Sequence, residues 1–128
     1  MPMTPTFSFM NIKAWQKAHV FTLAIYQVTK TFPEDERFGL TSQFRRAAVS
    51  IGANIAEGYK KLSKVDKLRF LNISEGSLAE CYNYIILSKD LGYINEEQYQ
   101  HLVFSIEETS KLLIAYSKAI VNNNGIRD

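Results

Sequence analysis

Apolar residues recur along this chain at intervals of three and four, and four long runs keep that rhythm. Such spacing puts one side of an α-helix into a core. The first run spans about residues 11–31, with Ala14, Ala18, Phe21, Ile25, Val28 and Phe32 in its stripe. Pro33 closes it, because the residue before a proline is driven out of helical geometry. The second run extends from Leu40 to Lys60 on Leu40, Phe44, Ala47, Ile51, Ile55 and Tyr59, and Gly58 is placed to weaken its end. Ser63 and Asp66 form a variant capping box that opens a third helix. That helix reaches about Leu91, where Gly92 supplies a left-handed stop. Asn95 with Gln98 caps a fourth helix, which continues to about Val121 on Tyr99, Leu102, Ile106, Leu113 and Ile120.

Long helices joined by short turns pack as antiparallel neighbours. The expected fold is therefore all-α, an up-down four-helix bundle over residues 9–121. Residues 1–8 read as a flexible arm and residues 122–128 as a flexible tail.

The third helix carries more apolar surface than one bundle position needs. Leu68, Leu71, Leu78, Tyr82 and Ile85 point one way. Phe70, Ile73, Ser77, Glu80, Tyr84, Leu87 and Leu91 repeat on the far side. A helix apolar on opposed faces is buried on both, so one stripe fills the core and the other meets a partner. The pattern does not say which stripe does which.

The second helix has a similar surplus in "QFRRAAVSIGANIAEG" (43–58). Ala48, Gly52 and Ala56 form a small-residue lane, widened by Val49 and Ala53. Gly52 costs about 1 kcal/mol of helix propensity against alanine, and close helix packing is the expected compensation. The oligomer interface expected from both surpluses comprises Val49, Gly52, Ala53, Ala56, Phe70, Ile73, Tyr84 and Leu87. Gln43, Ser50, Asn54 and Glu57 make a polar lane on the other flank, in which Asn54 is expected to bond between helices and fix register. For Arg46 three readings stay open: solvation, phosphate binding, or pairing with a residue such as Glu80 across a subunit boundary.

Composition adds limits. The chain has 128 residues, 46% apolar and 22% charged, as a single globular domain does. No run approaches the roughly 18 to 20 apolar residues of a membrane span. No secretory signal is seen, and the single cysteine, Cys81, makes a reducing, cytoplasmic setting the expected one. Net charge is only +2 but unevenly placed. Arg45, Arg46, Lys60, Lys61, Lys64, Lys67 and Arg69 face only Glu57 and Asp66 within residues 45–69. Asp90, Glu96, Glu97, Glu107 and Glu108 lie in a stretch without lysine or arginine. Two solvated faces explain this blandly; the seven cations as a nucleic-acid surface explain it more sharply.

Catalytic signatures do not appear. Glu97 and His101 share a helix face, but two side chains do not make a metal site. No Glu-x-x-His occurs for a bundle di-metal centre, and the glycines have neither Rossmann nor Walker spacing. Cys81 lacks an adjacent base and reads as packed. No catalytic residue, cofactor or small-molecule substrate is expected.

The segment 43–58 resembles the signature of the four-helix-bundle proteins encoded by intervening sequences in bacterial 23S ribosomal RNA genes. Gln43, Arg45–Arg46, Ser50–Ile51, Asn54–Ile55–Ala56–Glu57–Gly58 and Gly76–Ser77 carry the likeness, which covers roughly residues 9–121. Ser74 stands where the family pattern has alanine. The resemblance implies a left-handed bundle assembled as a ring-like homopentamer. Related members include the accessory variability determinant of diversity-generating retroelements, a basic pentamer that binds nucleic acid and a reverse transcriptase. The expected function is thus a non-enzymatic homo-oligomer that binds RNA or a ribonucleoprotein through its basic surface. The alternative is a protein-only adaptor or scaffold.

Overall fold

The computed structural model describes residues 8–123. Most of the expected arm and tail therefore lie outside the described residues. Four helices form the fold: α1 (Lys13–Thr29), α2 (Leu40–Lys60), α3 (Lys64–Asp90) and α4 (Glu96–Asn122). Each packs on its two neighbours in cyclic order, α1 on α2, α2 on α3, α3 on α4 and α4 on α1. Cross-helix bonds show the antiparallel sense. On α2 and α3, Gln43 meets Tyr84, Ser50 meets Ser77, and the Tyr59 carbonyl meets Lys67, so one chain position rises as the other falls.

The ends follow the local chemistry. α1 is shorter than its apolar run because both flanks tighten into i→i+3 turns. Ser8 Oγ accepts from Met10 N–H (3.0 Å) and opens a 3₁₀ turn over Phe9–Asn11. At the other end Lys30, Thr31 and Phe32 donate to Gln27, Val28 and Thr29 ahead of Pro33. α3 opens on Ser63, whose Oγ accepts from Asp66 N–H. It closes in a Schellman motif: Gly92 has φ of 78°, its N–H donates to Lys89, and Tyr93 N–H donates to Ser88. Asn95 and Gln98 form a complete capping box for α4, with both bonds at 2.8 Å.

Helix α2 is capped from outside its own sequence. Gly39 at its N-cap has no side chain to offer, and Glu36 replaces it. Glu36 Oε1 accepts from Leu40 N–H (3.0 Å), while Oε2 accepts from the Tyr93 hydroxyl (2.9 Å). These two bonds hold the Glu36 carboxyl below its ordinary range, the backbone donor contributing most. A carboxylate with a depressed folded pKa stabilises the fold above its ordinary titration range and loses that contribution as pH falls from that range through the depressed folded value. Glu36→Gln should therefore lower the thermal midpoint at pH 7, and the gap from the parent should start to shrink near the ordinary carboxylate range of about pH 4 and close only below the depressed value. Parallel melting curves across that range check this; a gap that does not change with pH would exclude the capping role.

The core axis of α3 runs between its two sequence stripes. Leu71, Leu78 and Ile85 are buried, and so are Ser74, Ser77, Cys81 and Ser88. The inward face is therefore the Leu71–Leu78–Ile85 stripe together with a lane of small polar residues. Of the second stripe, Ser77 is buried, Phe70 and Tyr84 are half-buried, and Ile73, Leu87 and Leu91 are exposed. Ser74 uses its hydroxyl to donate to the Ile51 carbonyl across the α2–α3 contact (2.8 Å). A hydroxyl where alanine was expected is thus satisfied in the core.

Gly58 does more than weaken a helix end. It is buried, and a Cβ there would stand 3.2 Å from both the Lys67 carbonyl and Phe70 Cβ. The glycine lets α2 and α3 close together just before the connection that joins them.

Candidate nucleic-acid interface

Five of the seven expected cations meet at one end of the bundle, where α2 turns into α3. Lys60 and Lys61 end α2; Lys64, Lys67 and Arg69 lie on the first turns of α3. Two rings order three of them. Lys61 Nζ lies 4.9 Å and Arg69 Cζ 5.9 Å from the Phe70 ring centre. Lys67 Nζ lies 5.8 Å from the Tyr59 ring centre and donates to the Tyr59 carbonyl (2.9 Å). Lys64 Nζ reaches the Val121 carbonyl at the end of α4 (3.4 Å), where the helix dipole favours a cation. Arg69 also pairs with Asp66, in the exposed i,i+3 manner. The rings hold cationic heads in place without neutralising them.

The other two cations lie elsewhere. Arg45 and Arg46 precede Lys60 by about four turns of α2, roughly 21 Å along the axis. Arg45 is tied to α1: its guanidinium lies 4.6 Å from the Tyr26 ring centre and donates to Thr29 Oγ1 (2.8 Å) and the Tyr26 carbonyl (3.3 Å). It clamps α1 to α2 rather than presenting a free charge. Arg46 stands exposed over a polar cleft of about 470 Å³ between α2 and α3, with Glu80 in the same lining. The two make no ion pair among the described residues. Glu80 accepts from the Tyr84 hydroxyl (2.9 Å), and Gln43 Oε1 lies 3.2 Å from the same oxygen. The Tyr84 hydroxyl is pushed up, first by burial and then by Glu80.

The polar lane of α2 does fix register, through a different residue than expected. Asn54 Nδ2 donates within its own helix, to the Ser50 carbonyl (2.8 Å) and Ser50 Oγ (3.0 Å). At Ser50 the bond between helices is made by Ser77, which donates to Ser50 Oγ (2.8 Å), and Gln43 of the same lane meets the Tyr84 hydroxyl. Asn54 orients that serine instead of crossing itself.

The expected interface residues divide into two groups. Val49, Ala53, Ile73 and Leu87 are exposed on the outward faces of α2 and α3, and Tyr84 is half-buried beside them. Gly52 and Phe70 meet groups of this chain, and Ala56 is half-buried at the edge of a cleft. A Cβ on Gly52 would lie 3.3 Å from Trp15 Nε1, and the neighbouring Ala48 carbonyl accepts from Thr22 Oγ1 of α1 (3.0 Å). The close approach that Gly52 permits is thus met by α1. Ala56 lines a cleft with Ser8, Phe9 and Met10, and Phe70 lies under Lys61 and Arg69.

The hydrophobic pattern alone did not reveal this cleft. It is bounded by the 3₁₀ turn at Phe9–Asn11 and the last turns of α2, Ala53 to Lys60. Phe9 packs edge-on against Trp15 (5.2 Å), which stacks on His19 (4.9 Å). A Ser8 cap followed by two large apolar residues was the available signal.

Cys81 is buried, and burial pushes its thiol far above the ordinary range, with the Glu80 charge adding to the shift. It is a core residue. Among the described residues, no three histidine, cysteine, aspartate or glutamate side chains gather as a metal site. No described helix is long and apolar enough to cross a membrane.

No curated protein sequence matches the chain. Among solved structures, it is similar to a protein of unknown function from the S23 ribosomal protein family of Bacteroides thetaiotaomicron. The two are 30% identical with a TM-score of 0.76, over 83% of this chain and 96% of that one. The family model for the 23S rRNA-intervening sequence protein matches residues 10–115. With that match over most of the bundle, the chain belongs to the 23S rRNA-intervening sequence protein family.

Proposed function

We propose that this protein is a non-enzymatic homo-oligomer that binds RNA through the basic end of each bundle. The observation that carries the reading is the gathering of Lys60, Lys61, Lys64, Lys67 and Arg69 at the α2–α3 connection, where Tyr59 and Phe70 hold Lys67, Lys61 and Arg69. Only Asp66 and Glu57 oppose them locally. Polyanion binding rests on such clusters, since each cation that meets a phosphate releases a counterion.

Self-association is supported by apolar surface the bundle leaves uncovered. Val49, Ile73, Leu87 and Leu91 keep 41–48% of their area on the outward side of α2 and α3. Gly76 lies mid-helix on that side, and nothing lies within 4 Å of the Cβ it lacks. A glycine there costs about 1 kcal/mol of helix stability, and the chain's own packing does not call for it. Close approach of another copy accounts for the choice. Five copies in a ring is the assembly the family resemblance implies, and the cytoplasm is the setting we propose for it.

Particle mass by light scattering tests the assembly. The expected result is a discrete species of about five chains that gains mass when RNA is added at low salt. A single chain at high concentration would overturn the oligomer. A stable oligomer that ignores RNA would leave the protein-only scaffold as the better reading.

A further inference from the structure

The cleft between the Phe9–Asn11 turn and the end of α2 is continuous with the basic cluster, and its lining differs in kind. Its volume is about 540 Å³, within the range of roughly 300–1,000 Å³ that small ligands occupy. Phe9, Met10, Tyr59, Ala53, Ala56 and Lys60 line it. Tyr59 is shared: it lines the cleft, and Lys67 Nζ lies 5.8 Å from its ring centre. Aromatic lining beside the Lys60 and Lys67 ammonium groups suits a ligand with a flat uncharged part and an anionic part.

Resting on the RNA reading above, we propose that this cleft takes an unpaired nucleobase, and that the chain prefers single-stranded RNA to duplex. A base enters between Phe9 and Tyr59, over the small side chains of Ala53 and Ala56. Its flanking phosphates meet Lys60 and the lysines beyond it. Stacking on aromatic side chains contributes about 1–3 kcal/mol per base and tolerates any sequence, because every base has a π-face. Glu57 also lines the cleft. It repels phosphate, but its carboxylate accepts hydrogen bonds from the amino groups of guanine, adenine or cytosine, which uracil lacks. A duplex offers its backbone to the lysines but cannot place a base in the cleft.

The test compares an eight-nucleotide oligoadenylate with an abasic oligomer of the same length and charge. Trp15 is the chain's single tryptophan and packs against Phe9, so its emission reports on the cleft through that ring. We expect the oligoadenylate to bind about tenfold more tightly than the abasic oligomer, the effect of one stacked base. Only the oligoadenylate should change Trp15 emission. Ala53 is exposed, so Ala53→Leu fills the cleft without crowding the core. It should bring both affinities to the abasic value; because Ala53 also lies among the expected interface residues, particle mass is measured alongside, and Phe9→Ala, which lies outside that set, carries the test if the mass changes. Phe9→Ala, which removes a lining ring, should narrow the difference as well. Equal binding of the two oligomers by the parent would overturn the nucleobase site while leaving the RNA reading intact. So would a tenfold difference that survives Ala53→Leu. Binding of neither oligomer would overturn both readings and leave the cleft to a polypeptide.

Discussion

Reversing Lys60, Lys61 and Lys64 to glutamate together should weaken RNA binding about 100-fold or more at roughly 50 mM salt, with particle mass unchanged. The three side chains lie at the α2–α3 connection, and none of them is buried. Lys61 rests on the Phe70 ring and Lys64 reaches the end of α4, so their replacement removes a cation–π interaction and one long hydrogen bond. Both are at the surface, where such interactions contribute about 1 kcal/mol or less. The fold should survive. The binding slope against log salt should also become shallower by about two to three, one step for each phosphate left without its cation. Filter binding with the triple variant and the parent checks both numbers. Unchanged affinity would remove the basic end as the interface. By contrast, Arg45→Gln should have little effect on RNA affinity, since that guanidinium is committed to Tyr26 and Thr29.

Phe44→Ala should cost about 3–5 kcal/mol, the usual range for an aromatic ring deleted from a core. Phe44 is fully buried, and its ring tilts against Tyr84 of α3 at 5.6 Å. Its removal opens a cavity where α2 and α3 meet and leaves Tyr84 unsupported beside Glu80 and Gln43. Against a total stability of about 5–15 kcal/mol, this is a large fraction. The thermal midpoint should fall by roughly 10–20 °C. Phe44→Leu keeps most of the volume and should cost about 1 kcal/mol. Calorimetry on the two variants checks the pair; equal, small shifts would mean that Phe44 is not the ring joining α2 to α3.

Helices, caps and the Gly92 stop were legible because each depends on residues a few positions apart. The bounds of α2 follow directly from its apolar run, and Asn95 with Gln98 marks the start of α4 without help from any other helix. What the sequence hid depends on partners far along the chain. Gly52 announces a close approach but does not say to what; the structure answers with Trp15, 37 positions earlier. Arg45 and Arg46 look alike in sequence, yet one helix step turns the first toward Tyr26 and the second toward solvent. Counting charges placed seven residues in one surface, while geometry gathers five. Asn54 looked like the crossing residue because it borders the apolar stripe. Ser77, on another helix, makes the crossing bond. The inward face of α3 was obscured for a related reason. Ser74, Ser77 and Ser88 are polar by composition but buried by position, so they blur the periodicity that would have marked it.

The Gln43–Arg46–Glu80–Tyr84 cleft shows the same limit. Its residues come from two helices, and only their packing places a guanidinium and a carboxylate over one opening. The family signature therefore spans two physical roles. Ser50 and Gly58 hold α2 to α3, whereas Arg46 and Ala53 stand on the outside.

The most direct measurement is the affinity of the unmodified protein for single-stranded RNA across a salt series from about 50 to 200 mM. Five cations at the basic end predict that log affinity falls linearly with log salt, with a slope of about −3 to −5 per chain. Absence of binding at the lowest salt, or an affinity that salt does not change, would contradict the account.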